Sequence, residues 1–166
     1  MNEGYGLMRI PEGWIPLMVV VLGGLMLMLL MILHGFGLDR IVTGYHGRAD
    51  RMRKHDRRPS VAVLGFAQTI LMMLVLHMVE LWLWGGLLWG GGLVKDLHAA
   101  MYFAANAYTT LGMGNMVLPH TWHELSPMIA ISGLFAFAWT TSELFNIVGD
   151  QHDLVKELSK QRKQAA

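Results

Sequence analysis

The sequence predicts an all-α membrane protein with three membrane-spanning helices and one short re-entrant helix, and three observations support this fold class. Hydrophobic residues make up 54% of the 166 residues and charged residues only 15%, which is too apolar for a soluble domain of this size. The charges are concentrated in two stretches outside the apolar runs, as expected for the water-exposed parts of a membrane protein. Three of the apolar runs are long enough to cross a bilayer.

The first apolar run, residues 15–33, contains 19 residues and no charge. At 1.5 Å per residue it reaches roughly 28 Å, about the thickness of the hydrocarbon core. A cleaved signal peptide is the alternative reading. Against it, the run is long for a signal peptide, only Arg9 precedes it as a basic residue, and no small-residue cleavage site follows.

The second and third runs lie further along the chain. The second, residues 61–88, follows Ser60, which is placed to cap a helix. The third begins at Ser126 and Pro127, a cap followed by a proline at the first helical position, and ends before Gly149. Tryptophans near the end of the second run are predicted to anchor that helix at the membrane interface. They are Trp82, Trp84 and Trp89.

The basic residues predict the orientation of a multi-pass protein of the cell membrane. Residues 39–60 hold seven basic residues and three aspartates, so they are predicted to form a cytoplasmic loop that is also placed to contact anionic lipid headgroups. The N-terminus is then outside, and residues 150–166 form a cytoplasmic tail. The basic residues of that tail agree with this orientation: Lys156, Lys160, Arg162 and Lys163.

Residues 97–118 are apolar but make a poor spanning helix, because Gly112 and Gly114 interrupt them. Asp96 is placed to cap a short helix that runs to Thr109, and the C-terminal end of this helix would point its partial negative charge into the membrane. Irregular backbone at membrane depth is tolerated only where protein buries it or where it lines a watery path. The pattern therefore predicts a re-entrant pore helix followed by a pore loop.

A six-residue segment resembles the selectivity filter of the potassium-channel superfamily, whose usual form is Thr-Val-Gly-Tyr-Gly-Asp. The segment is Thr110-Leu111-Gly112-Met113-Gly114-Asn115. The resemblance covers residues 61–149 as outer helix, pore helix, filter and inner helix, and leaves residues 1–38 as an additional N-terminal transmembrane helix. It implies a homotetramer in which backbone carbonyls of four filters and the Thr110 hydroxyl coordinate K⁺ as the permeant ion.

The filter departs from the family pattern at two positions. Met113 replaces a tyrosine and has no hydroxyl with which to fasten the loop, and Asn115 removes a negative charge from the outer mouth. A non-selective cation pore and a non-conducting membrane scaffold with a channel fold therefore remain alternatives. His77 and Glu80 share one helical face level with the filter, so Glu80 is predicted to support the loop from behind; a glutamate that reaches interfacial water is the alternative.

Two further groups of residues are candidates for function. Gly133, Thr140 and Glu143 recur at helical spacing in the third run and are predicted to line the inner cavity, although ordinary helix packing also explains small residues on one face. His120 and His123 follow the filter at a spacing that suits a divalent metal ion or a proton sensor. Histidines of a surface loop with neither role are the alternative reading.

The 14 methionines suggest one more function class, a copper transporter that uses Met and His ligands. Loss of transport on changing Met113 and Met116 would distinguish it from a channel. We predict no enzymatic activity, no cofactor and no nucleic-acid partner. The expected partners are three further copies of the chain, membrane lipid, and an unidentified membrane protein. The first helix is the candidate binding surface for that protein.

Overall fold

The computed structural model of the chain describes residues 14–55, 58–112 and 116–164. Regular structure in these residues is helical, in the order α1 (Ile15–Lys54), α2 (Pro59–Gly90), α3 (Leu97–Tyr108), a single 3-10 turn (His120–Trp122) and α4 (Leu125–Gln164). Within the described residues, three helices are long and apolar enough to cross a membrane, namely α1, α2 and α4. The prediction of an all-α protein with three candidate membrane helices is confirmed.

The helix starts follow local backbone chemistry. Asp96 caps α3 as predicted, because its Oδ2 accepts the backbone N–H of Ala99 at 2.7 Å. Helix α2 begins one residue before the predicted cap, at Pro59, since proline lacks only an N–H that the first helical position leaves unused. Helix α4 begins at Leu125, so Ser126 lies in its first turn rather than at a cap.

Helices α1 and α4 continue well beyond the predicted spans. The segment predicted as a basic loop, residues 39–60, is helical up to Lys54 and again from Pro59, and the predicted tail is helical up to Gln164. Contacts between α1 and α4 explain why the charged sequence of both helices stays helical. They are Tyr45 Oη to Gln151 Oε1 at 3.2 Å, His46 Nε2 to Asp150 Oδ2 at 3.0 Å, and Arg53 Nε to Glu157 Oε2 at 3.0 Å.

Helix α3 packs between α2 and α4 in the largest core of the subunit. Ala100 and Ala104 are fully buried, and their small side chains allow α3 to approach its neighbours closely. Trp84 is also fully buried and donates its indole N–H to Ser132 Oγ at 2.9 Å. The prediction that Trp84 is an interfacial anchor is therefore wrong, since its polar atom is satisfied in the core. The other two predicted anchors are exposed: Trp82 and Trp89.

The closest approach between α3 and α4 occurs at Gly133. A Cβ built on Gly133 would overlap the backbone carbonyl of Tyr108, the last residue of α3. This carbonyl belongs to the main chain, so no side-chain rotation can relieve the overlap. Glycine at this position therefore sets how deeply α3 is inserted between its neighbours.

We expect Gly133→Ala to lower the free energy of unfolding by about 1–3 kcal/mol, because α3 must shift to admit the methyl group. The matched control is Gly149→Ala in the same helix, where a Cβ meets no atom of the described residues within 4 Å. That change should leave stability unchanged or raise it by up to about 1 kcal/mol, since alanine favours helix. Denaturant unfolding of the detergent-solubilised protein measures both; equal effects would contradict the close approach.

Candidate functional site

The chain leaves α3 in a tight turn whose backbone is left-handed at two positions. Thr110 has φ 58° and Gly112 has φ 100°. Positive φ costs glycine little, but it is uncommon for a β-branched residue such as threonine and marks a place where the surrounding structure holds strain. The backbone N–H of Leu111 donates to the carbonyl of Asn106 at 3.0 Å, which fixes the turn to the end of the helix.

This turn is exposed on the surface of the described chain. Residues 109–112 are all exposed, and Leu111 is 81% exposed. Within the described residues, none of the four backbone carbonyls of this turn accepts a hydrogen bond. Of the predicted filter, Thr110, Leu111 and Gly112 therefore lie at the surface; Met113, Gly114 and Asn115 lie outside the described residues.

Directly behind the turn, five polar side chains form a buried cluster, which we call the polar cluster. Each of the helices α1 to α4 contributes at least one of them. Its members are His34 of α1, His77 and Glu80 of α2, Tyr108 of α3 and Thr140 of α4. Because burying an unpaired polar group in an apolar bundle is costly, the hydrogen bonds within the cluster decide whether it is stable.

Glu80 is the centre of the polar cluster, and its side chain is fully buried. Its Oε2 accepts the Tyr108 hydroxyl at 2.6 Å, and its Oε1 lies 2.6 Å from His34 Nδ1, whose N–H is the donor. His77 Nδ1 lies 3.0 Å from the Tyr108 oxygen, and Thr140 Oγ1 lies 3.1 Å from His34 Nε2. Both carboxyl oxygens and both ring nitrogens of His34 thus have partners.

The polar cluster also has the composition of a metal site. His34, His77 and Glu80 each offer one ligand atom, and these atoms lie within 4.8 Å of one another. Two imidazoles and a carboxylate are ligands that zinc and related divalent ions accept. The rings of His77 and Phe137 stack with centroids 4.4 Å apart, which closes the cluster on the α4 side.

Two members of this cluster, His34 and Tyr108, were not predicted from the sequence. His34 directly follows the predicted first span, although the apolar sequence continues from Gly35 to Leu38. An ionisable residue inside such a run is itself a signal of function in a membrane helix. Tyr108 was read only as part of the short helix, and nothing in the local sequence indicates that its hydroxyl faces Glu80.

The structure shows which residues contact the predicted filter-supporting and cavity-lining residues. Glu80 and His77 bond to Tyr108 at the foot of the turn rather than to residues 109–112. Gly133 packs against Tyr108 and Thr140 bonds to His34, so both face the interior of the same subunit. The remaining candidate, Glu143, is partly exposed and lines a small cavity between α1 and α4 together with Asp39.

The histidine pair that follows the predicted filter lies apart from the polar cluster. His120 and His123 flank the 3-10 turn, are both exposed, and have ring centroids 5.2 Å apart. Glu124, next in the chain, is exposed as well. The pair is therefore close enough to share a ligand, but the described residues add no buried partner to it.

Comparisons of the chain with protein-family models, with curated protein sequences and with solved structures find no match. The geometry of the turn after α3 and of the polar cluster behind it is therefore the basis for a functional proposal.

Proposed function

We propose that the chain is one subunit of a homotetrameric, potassium-channel-like cation channel, in which the turn after α3 begins the ion-coordinating filter. The observation that carries the proposal is the position of this turn. It follows a short helix that ends between two candidate membrane helices, and its residues 109–112 are exposed.

The depth of Tyr108 supports a re-entrant helix. Tyr108 contacts Glu80, which precedes the end of α2 by 10 residues, and Gly133, which follows the start of α4 by 8 residues. At 1.5 Å per residue these offsets correspond to about 15 and 12 Å. Since the hydrocarbon core is about 30 Å thick, the end of α3 would lie close to the middle of the bilayer.

The exposed turn at this depth supports a tetramer. Unpaired backbone groups in contact with lipid cost several kcal/mol each, so such backbone occurs only where protein covers it or where it lines water. Four copies around one axis would turn these surfaces towards each other and form a ring of carbonyl oxygens that replaces the hydration shell of a cation. The C-terminal end of α3 would add its partial negative charge.

The polar cluster supplies the rigidity that such a turn requires. Tyr108 directly precedes the turn, and its hydroxyl is held by Glu80 and His77. We infer that this anchor from below the filter replaces the fastening that Met113 cannot provide. The first helix then has a role in the pore, because His34 holds Glu80 from the other side.

The basic ends of α1 and α4 support the predicted orientation. Arg53 contacts Glu157, so the basic ends of these two helices lie together. Basic segments next to membrane helices stay preferentially in the cytoplasm. In the proposed orientation, the C-terminus is in the cytoplasm and the filter is in the outer half of the membrane.

We propose that an exposed face of α4 lines the cavity, because Gly133 and Thr140 of the predicted lining face the interior of the chain. Ala138 and Ser142, four residues apart on one face, are both exposed, whereas Thr140 between them points to His34. The chain contains no cysteine, so a single introduced thiol can be modified without background. We expect a charged thiol reagent to block K⁺ flux through Ser142→Cys channels almost completely, because the adduct would occupy the cavity.

The matched control for this prediction is Thr140→Cys. Its side chain is only 8% exposed, so the same reagent should leave flux through that variant nearly unchanged. Block of the Thr140→Cys variant together with persistent flux in Ser142→Cys would contradict the proposed lining. Absence of flux in every variant and in the unmodified protein would instead favour the non-conducting scaffold.

A further inference from the structure

The polar cluster brings together side chains of the kind that bind metal ions. The channel proposal does not require this property. His34, His77 and Glu80 are buried, and each brings one ligand atom within 4.8 Å of the others. We propose that the polar cluster is a binding site for a divalent transition-metal ion of the zinc type, with these three residues as ligands.

The spacing of the two imidazoles fits a single tetrahedral ion. The ring centroids of His34 and His77 are 5.3 Å apart. With Zn–N bonds of about 2.0–2.1 Å and tetrahedral angles, two bound imidazoles have centroids roughly 5 Å apart. The rings therefore need little movement to bind the same ion.

The Tyr108 hydroxyl is placed as the fourth donor. It lies 2.6 Å from Glu80 Oε2 and 3.0 Å from His77 Nδ1. Ligand atoms around tetrahedral zinc are roughly 3.3 Å apart, so the present hydrogen-bond distances would have to widen by less than about 1 Å. Side-chain rotations of this size would bring the hydroxyl to a coordinating position.

Thr140 orients His34 for this role. Its Oγ1 lies 3.1 Å from His34 Nε2. In the metal-free cluster Nδ1 carries the ring proton and donates it to Glu80. A bound metal would take the place of this proton, and Nε2 would then carry the ring proton and donate it to the Thr140 hydroxyl. Histidine ligands in metal sites usually donate their second ring N–H to such a partner, which fixes the tautomer and the ring orientation.

The donor set determines which ion fits. It contains imidazoles, one carboxylate and a phenol but no sulfur, and the chain has no cysteine at all. Calcium and magnesium prefer oxygen ligands alone, and cuprous ion prefers sulfur. Zinc, or another divalent ion that favours imidazole, is therefore the expected occupant.

A cavity between α1 and α4 adjoins two residues of the cluster in sequence. It has a volume of about 160 Å³ and is lined by Gly35, which follows His34, and by Trp139, which precedes Thr140. Asp39 and Glu143 also line it. Two carboxylates in one cavity would attract divalent cations to this part of the protein.

Binding should be measured on the full-length protein in detergent, after removal of metals with a chelator and dialysis against zinc. Elemental analysis should then find about one ion per subunit, since the site is formed within one chain. His77→Ala should abolish this retention. Thr140→Val keeps all ligands and should weaken binding by about 10–100-fold, as is typical on loss of a partner that orients a histidine ligand.

The exposed histidine pair supplies the matched control. The double variant His120→Ala/His123→Ala should retain zinc as well as the unmodified protein does. Retention that is lost in this variant but kept in His77→Ala would overturn the proposal, and so would an unmodified protein that retains no zinc. If His77→Ala does not fold, Thr140→Val decides the matter. Because zinc content is measured without ion flux, a negative result here leaves the channel proposal to its own tests.

Discussion

Replacing Gly112 with alanine is expected to abolish K⁺ flux while the tetramer remains folded. Gly112 has φ 100°, a conformation that L-residues rarely adopt. A Cβ on Gly112 meets no atom of the described residues within 4 Å, so the cost arises from backbone conformation and not from a clash. A strain of about 1–2 kcal/mol in each of four subunits would turn the carbonyls away from the axis and lower flux by more than about 100-fold.

A second glycine provides the control for this effect. Gly92, in the turn between α2 and α3, also has a positive φ of 70°, and a Cβ there also meets no described atom within 4 Å. Gly92→Ala therefore introduces similar backbone strain away from the filter, and flux should stay within about twofold of the unmodified protein. Liposome flux and size-exclusion chromatography measure function and assembly for both variants. Normal flux in Gly112→Ala would contradict the filter assignment.

Breaking the bond between His34 and Glu80 is expected to have the largest effect on stability. Both side chains are fully buried, and the two atoms are 2.6 Å apart. Glu80→Ala leaves His34 and Tyr108 without their acceptor, and removal of one partner of a buried pair typically costs about 3–5 kcal/mol. Denaturant unfolding of the chelator-treated protein should show this loss. The double variant with His34→Ala should cost less than the sum of the two single changes, since the residues contact each other.

The exposed pair Arg53 and Glu157 is the matched control, because it joins α1 to α4 with a similar contact of 3.0 Å in water. Arg53→Ala should cost no more than about 1 kcal/mol, as is usual for an exposed ion pair. If Glu80→Ala lowers the free energy of unfolding no more than Arg53→Ala does, the polar cluster does not hold the first helix to the rest of the chain. Additive effects of His34→Ala and Glu80→Ala would lead to the same conclusion.

The helices could be predicted from sequence because each carries its own local signal. Apolar runs of spanning length predict three long helices, and Asp96 in front of an apolar stretch predicts the cap of α3. The continuation of α1 to Lys54 and of α4 to Gln164 was not predictable in the same way. It depends on contacts between residues about 100 positions apart, such as Tyr45 with Gln151, and charged sequence alone does not distinguish a water-exposed helix from a loop.

The candidate site could be predicted only in part for a similar reason. His77 and Glu80 stand out because ionisable residues are costly in a membrane helix. Their partners His34 and Tyr108 come from two other helices, and only the packing of the helices brings the four side chains together. Gly133 and Thr140 were predicted to line the inner cavity, but sequence periodicity does not indicate which neighbour their helical face contacts, and in the structure they contact Tyr108 and His34.

The most direct test of the channel proposal is ion flux from the purified protein in liposomes, compared under potassium and sodium gradients and with barium as a pore blocker. We expect potassium flux that barium inhibits and that exceeds sodium flux, because a ring of four carbonyl-lined turns would replace the hydration shell of potassium. Equal potassium and sodium flux would keep the pore but contradict its selectivity. No flux from protein that is shown to be folded and tetrameric would contradict the channel proposal itself.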